Sequence, residues 1–334
     1  MGEAVAWQLL LLAAGIYLLL RGAGHLVDGA AALALRAGMR PILVGLTVVA
    51  FGTSAPELAT CMSAALRAQG GEPSAADVAL GSVIGSNTCN VGLILGLAAL
   101  IRPLGVVGSL VRREVPFLVG ISLFAVVLGW RGALDGVAGD LLLLTFVAFV
   151  ALVAWSARTD RGAGAGPPTD DAVGAVGDAG PPVLSAGWAG LLVLFGCLLL
   201  TVGADLLVDS AIAVAAAAGV SSAVVGLTVV AVGTSLPELA AAVVAARQGR
   251  SDLALGSVVG SNTFNIGFVL GLPAAWIGLP ANPELVARDM SVMLAFTVAL
   301  LPLCLVGRGV RRRDGALLVA GYAAYLGLLL VGAL

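Results

Sequence analysis

The chain has 334 residues, 60% of them hydrophobic and 11% charged, with a net charge of −2. A mean hydropathy of +1.09 is more than a water-soluble domain of this length could hide, so the solvent is a lipid bilayer. The charge balance argues against nucleic acid as a partner, and one histidine with four scattered cysteines offers no metal-ligand spacing.

Apolar runs of about 20 residues recur along the sequence, each enough to cross roughly 30 Å of hydrocarbon. The first, "AVAWQLLLLAAGIYLLL", follows Met-Gly-Glu with no basic leader and no small-residue cleavage site, and reads as a retained helix. The expected spans cover 4–22, 40–66, 76–100, 107–129, 134–156, 187–207, 220–246, 253–278, 288–307 and 315–333, with 23–37 and 208–219 extending the first and sixth. Between the fifth and sixth lies "ARTDRGAGAGPPTDDAVGAVGDAGPPVLSAG", a Gly/Pro/Asp-rich segment without apolar periodicity. The expected organisation is a five-helix unit over 1–157, a cytoplasmic linker over 158–186, and a second five-helix unit over 187–334. Asp170, Asp171 and Asp178 lack the spacing of an EF-hand loop and read as solvated linker. Cys61, Cys89, Cys197 and Cys304 fall in apolar segments and read as small packing residues.

Arginine placement orients the chain. Loops after the odd-numbered spans hold 14 of the 17 arginines, Arg247, Arg250 and the cluster "RGVRRRD" among them; the opposite side holds only Arg67, Arg131 and Arg288. Basic loops stay cytoplasmic, so both termini are expected outside and the linker inside, in the cell (inner) membrane. Trp7, Trp130 and Trp188 stand near span ends, where an interfacial belt belongs.

The two halves repeat. "GLTVVAFGTSAPELA" from Gly45 matches "GLTVVAVGTSLPELA" from Gly226 at 13 of 15 positions, 181 residues apart. "LGSVIGSNTCNVGLILG" from Leu80 matches "LGSVVGSNTFNIGFVLG" from Leu255 at 12 of 17, 175 residues apart. The loop "AQGGEPSAAD" absorbs the difference, and Asp28 has a counterpart in Asp209. With an odd number of spans per half, the second copy enters from the opposite face. Ten transmembrane helices in two inverted five-helix repeats result, a plan that places substrate at the repeat interface near mid-membrane.

The first motif carries the unusual chemistry. Pro56 lacks an N–H and clashes with the preceding turn, and Gly52 relaxes the backbone beside it, so helices 2 and 7 are expected to break. Ser54 and Glu57 have the spacing of a capping box, which alone would explain the glutamate in a soluble helix. Here Glu57 and Glu238 lie deep in apolar spans, where a carboxylate costs at least a few kcal/mol. Unwound backbone at that depth is tolerated where it lines a cavity or is buried in protein. Twice-repeated, the arrangement points to ligand binding. Carboxylates, hydroxyls, amides and carbonyls freed at the break are hard oxygen donors that suit Ca²⁺, and two glutamates balance one divalent ion. Na⁺, of similar radius and half the charge, suits the same oxygens, whereas zinc would want imidazole or thiolate.

The second motif supplies the facing wall. Gly81 and Gly85 form a small-xxx-small pair for close helix approach. Ser86 and Asn90, four apart, share a helical face, as do Ser261 and Asn265, and these read as ligands. Asn87 is open between ligand and interhelical hydrogen bonding. Asp28 and Asp209, near span ends, read as helix-orienting or entrance residues.

Taken together, these segments resemble the cation/Ca²⁺ exchanger superfamily, close to prokaryotic sodium/calcium exchangers, whose hallmark is a pair of inverted repeats carrying "GTS-x-PE" and "GS-x-x-GSN-x-x-N" segments. Both copies occur here, and the likeness spans essentially the whole chain. It implies that helices 2, 3, 7 and 8 surround the site. Glu57 and Glu238 match the central carboxylates; Thr53 and Thr234 match positions giving carbonyl or hydroxyl oxygens to Ca²⁺ and Na⁺. Ala50, Ser54, Ser86 and Asn90, with Ala231, Ser235, Ser261 and Asn265, match the remaining Na⁺ positions. Some relatives have Asp at the place of Asn265, so the site here is symmetric with two carboxylates. The short linker leaves no room for a calcium-sensing domain. The expected activity is electrogenic Na⁺/Ca²⁺ antiport by alternating access, without cofactor or protein partner. An H⁺/Ca²⁺ antiporter using the same site and a passive cation channel are the alternatives. No nucleophile–base pair supports an enzyme.

Overall fold

The computed structural model describes residues 2–39, 41–72, 74–105, 113–162, 184–217, 233–307 and 309–332, and they are helical almost throughout. Among the described residues, six helices are long and apolar enough to cross a membrane, and the bent pair Ile42–Thr53 and Ala55–Gln69 makes a seventh. The chain is a multi-pass membrane protein.

In chain order, α1 (Gly2–Arg36) runs unbroken through the extension expected at 23–37. The bent second span comprises α2 (residues 41–53) and α3 (Ala55–Gln69). Then come α4 (residues 74–101), α5 (Val115–Gly129) and α6 (Gly136–Gly162). The second half begins with α7 (Ala186–Ala217) and α8 (Leu236–Arg247). It closes with α9 (Ser251–Ile277), α10 (residues 285–307) and α11 (Arg312–Gly332). Most of the linker and the first part of the expected 220–246 span, Ala231 included, lie outside the described residues. Left-handed glycines, Gly71 (φ 103°) and Gly249 (φ 74°), turn the chain after α3 and α8, a conformation that costs glycine nothing at Cβ.

Among the described residues, four two-residue strands join the halves. β1 (Leu104–Gly105) pairs antiparallel with β4 (Gly309–Val310), and β2 (Ala133–Leu134) with β3 (Leu279–Pro280). Leu104 and Leu279 stand 175 positions apart, as do Leu134 and Gly309. Each half therefore lends the other the same strand in exchange.

The helices pack in two layers. In the first, α1 and α7 lie antiparallel through a heptad of small residues: Gly15, Gly22 and Gly29 meet Gly203, Gly196 and Ala189. A Cβ on Gly22 would sit 2.9 Å from the Gly196 carbonyl, and one on Gly29 would sit 2.7 Å from the Ala189 carbonyl. Such contacts let backbones touch, which substitutes for a hydrophobic drive that lipid does not supply. The outer faces of this pair present Leu10, Tyr17, Leu194 and Leu198 outward.

The second layer is the core. The most apolar stretch of α9 is 94% buried and that of α4 is 72% buried, against 28% for α7. The helices with the most polar motifs are thus the most enclosed. Gly256 and Gly260 seat α2 directly on α9, where Cβ atoms would approach the Ile42 and Leu46 carbonyls to 2.7 and 2.5 Å. Trp7, Trp130 and Trp188 are exposed, as an interfacial belt requires.

Candidate functional site

At "GTSAPE" the helix bends by 47° between α2 and α3. Only Ser54 leaves helical angles (φ −90°, ψ 8°), and Ser235 takes nearly the same pair (φ −93°, ψ 8°). Each precedes a proline-bearing first turn, where the missing N–H needs no partner. The chain is bent at this point, with no unwound stretch. Backbone hydrogen bonds continue across it, Ser54 N to Ala50 O at 3.0 Å and Leu58 N to Ser54 O at 3.2 Å.

Two sequence expectations are corrected here. The capping box does not form, since neither Ser54 nor Ser235 caps its own helix with its side chain. The Ser54 hydroxyl instead crosses to the other half and donates to Glu238 Oε1 at 2.9 Å. Nor does the bend free the Ala50 carbonyl, which accepts the Ser54 N–H and, at 3.3 Å, the Thr53 hydroxyl. The Ser54 hydroxyl finds in Glu238 a carboxylate acceptor across the repeat interface, while backbone hydrogen bonding carried through the bend keeps the Ala50 carbonyl occupied.

The remaining residues converge on that interface. Glu57 and Glu238 are each 1% exposed, and Thr53, Ser54, Ser86, Asn90, Ser235, Ser261 and Asn265 are buried with them. Thr53 Oγ1 lies 3.5 Å from Ser261 Oγ, and Ser235 Oγ donates to Ser86 Oγ at 3.2 Å. The two carboxylates are electrostatic neighbours, and Ser86 stands beside Glu57. Thr234 is half-buried and lines a cavity of about 240 Å³ with Pro56, Thr60, Asp205 and Asp209. Ala231 alone among the expected site residues lies outside the described residues.

Where α4 and α9 cross, both helices widen into a π-helical turn, at Asn90–Leu95 and Asn265–Leu270. Such turns recur at functional sites because they re-aim side chains. Neither these turns nor Asp205 as a cavity residue has a signal in the sequence. Asn87, left open by the sequence, and Asn262 each donate to the other's backbone carbonyl, bonding helix to helix.

The site's electrostatics are one-sided. Glu57 Oε1 and Oε2, Glu238 Oε2, Asn90 Oδ1 and Asn265 Oδ1 are all buried without a hydrogen-bond partner. Every one of these atoms is an acceptor. Leaving a buried acceptor unmet costs about 1–3 kcal/mol, more when it is charged. All five are buried acceptors, contributed by both halves, that positive charge would suit. Asymmetry is also present: Ser54 serves Glu238, whereas its counterpart Ser235 serves Ser86 and leaves both Glu57 oxygens bare.

Comparison with known proteins agrees with this architecture. The sodium/calcium exchanger protein family matches residues 7–155 and 188–331. The inner membrane protein YrbG of Escherichia coli is 36% identical over 325 residues, 96% of this chain and 95% of the relative. The sodium/calcium exchanger MaX1 of Methanosarcina acetivorans is 30% identical, across 95% of this chain and 97% of that protein. Among solved structures, the sodium-calcium exchanger NCX_Mj soaked with 2.5 mM Na⁺ and 0.1 mM Ca²⁺ superposes with a TM-score of 0.79 at 28% identity, covering 96% of this chain and 98% of that one. The same exchanger soaked with zero Na⁺ and Ca²⁺ gives 0.80 at 29% identity. The two matched segments flank the linker and contain both copies of both motifs, so this chain belongs to the sodium/calcium exchanger family of membrane transporters.

Proposed function

We propose that the chain is a Na⁺/Ca²⁺ antiporter, in which Na⁺ entering down its gradient drives Ca²⁺ out through the site between Glu57 and Glu238. The observation that carries this reading is the set of five buried, partnerless oxygens with no donor among them. Two carboxylates neutralise one Ca²⁺, and amide and hydroxyl oxygens extend the set toward the 6–8 ligands that this ion takes. Na⁺ uses the same oxygens, so the two loaded forms exclude each other, which is what couples the fluxes.

The exchanged strand pairs and the like backbone angles at Ser54 and Ser235 support two inverted five-helix repeats, ten spans in all; the arginine-rich loops favour termini outside and a cytoplasmic linker. Alternating access then follows from the two packing layers. The α1–α7 pair, lipid-facing and joined by its own glycine seam, slides across the core that holds the site. Transport is electrogenic, with more Na⁺ charge entering than Ca²⁺ charge leaving, so the membrane potential contributes.

Ca²⁺ flux in proteoliposomes under an imposed Na⁺ gradient, an H⁺ gradient or neither tests the reading. Uptake is expected only with the Na⁺ gradient, and Glu57→Gln and Glu238→Gln are each expected to abolish it. Equal uptake driven by H⁺ would transfer the coupling to protons, and flux without any counter-ion would make the protein a channel. Normal uptake by both glutamine variants would remove the site.

A further inference from the structure

The crossing of α4 and α9 contains four asparagines whose amides form one connected circuit. Asn87 Nδ2 donates to the Asn262 backbone carbonyl at 3.2 Å, and Asn262 Nδ2 donates to the Asn87 carbonyl at 3.1 Å. A backbone carbonyl can only accept, so this reciprocal clasp fixes which end of each amide is nitrogen. The Oδ1 of each is then committed elsewhere. Asn87 Oδ1 accepts from Asn265 Nδ2 at 3.1 Å, and Asn262 Oδ1 accepts from Asn90 Nδ2 at 2.9 Å.

The consequence reaches the ion site. With their NH₂ groups held, Asn90 and Asn265 keep Oδ1 as their free end, and those two oxygens are buried without partners. An amide that turned over about its last bond would present two N–H donors to the same place and repel a cation. The sequence offers nothing else to prevent this, because a primary amide is nearly the same shape either way round. The arrangement is also crossed: Asn87 orients Asn265 in the other half, and Asn262 orients Asn90.

We propose that Asn87 and Asn262 are positioning residues that hold Asn265 and Asn90 oxygen-first toward the cation and so set its affinity without touching it. This rests on the functional reading above, and the test separates the two. Full-length protein in detergent is titrated with Ca²⁺, reading the concentration that gives half-maximal thermal stabilisation, for wild type, Asn87→Leu, Asn265→Ala and the double variant. Melting without cation is recorded in parallel. Asn87→Leu is expected to raise the half-saturating Ca²⁺ about tenfold. The double variant is expected to be no worse than Asn265→Ala alone, because residues acting through one another are not additive. Paired with Asn90→Ala, the same substitution is expected to multiply its effect. If Asn87→Leu does not accumulate, Asn87→Ser serves in the same cycle.

A purely interhelical role would lower melting without cation and leave half-saturation unchanged, or multiply with Asn265→Ala; either result overturns the positioning role while the site stands. Wild-type protein that responds to neither Ca²⁺ nor Na⁺ overturns the functional reading, and the positioning role with it.

Discussion

Glu57 and Glu238 occupy equivalent places in the repeat, yet they are held differently. Glu238 has one oxygen fixed by the Ser54 hydroxyl, while Glu57 is held from the first turn of α3 with only Ser86 beside it. Charge decides what each is worth. With both ionised the site balances a divalent ion, and with one it balances a monovalent ion. Glu57→Gln is therefore expected to weaken Ca²⁺ by roughly a hundredfold to a few thousandfold, since removing one partner of a buried ion pair costs about 3–5 kcal/mol. Na⁺ binding, which needs one compensating charge, is expected to fall much less. Thermal stabilisation by each ion, measured on the same preparation, checks the contrast; an equal loss for both ions would mean that the glutamate acts through folding.

At the scale of elements, the glycines of α1 and α7 matter because of what they face, and identical residues within this helix pair should behave oppositely. A Cβ at position 196 would lie 2.6 Å from the Leu26 amide nitrogen, whereas at position 24 it would meet nothing within 4 Å. Gly196→Ala is expected to cost about 1–3 kcal/mol through overpacking. Gly24→Ala is expected to be neutral or to stabilise by about 0.5–1 kcal/mol through helix propensity. Melting of the two variants in detergent checks the pair, and equal melting would mean that the seam tolerates separation. This contrast also marks where sequence reading stops. The bends, the carboxylates and the duplicated walls were legible, because Pro and Glu inside an apolar run conflict with local preference and the conflict occurs twice. The glycine heptad was not, because glycine is common throughout an apolar chain and its partner helix lies far away in sequence. The Ser54–Glu238 bond and the asparagine circuit were hidden for the same reason. They join residues 172 to 184 positions apart, and only the crossing of helices reveals them.

For the whole molecule, the two ends of the α1–α7 pair are in different states. Near one end, Asp28 on α1 meets Arg250 at the start of α9 at 2.8 Å, and the same guanidinium donates to the Val27 carbonyl at 3.1 Å. Near the other, Asp209, the repeat counterpart of Asp28, lines with Asp205 the cavity that reaches Thr234 and Pro56. In the proposed orientation Arg250 is cytoplasmic and Asp209 external, so the moving pair is fastened to the core inside and stands open outside. Passage to the inward-facing form must part Asp28 from Arg250 and close the Asp209 cavity. Asp28 is 36% exposed, so the pair is worth at most about 1 kcal/mol, a roughly fivefold change in population. Asp209→Cys in a Cys197→Ala background provides the reporter, since Cys61, Cys89 and Cys304 are buried and only Cys197 is partly exposed. A membrane-impermeant thiol reagent added outside is expected to label it more slowly once Arg250→Ala is introduced, with Asp28→Asn acting in the same direction. Faster labelling would place the pair in the opposite state, and an unchanged rate would detach it from the transport cycle.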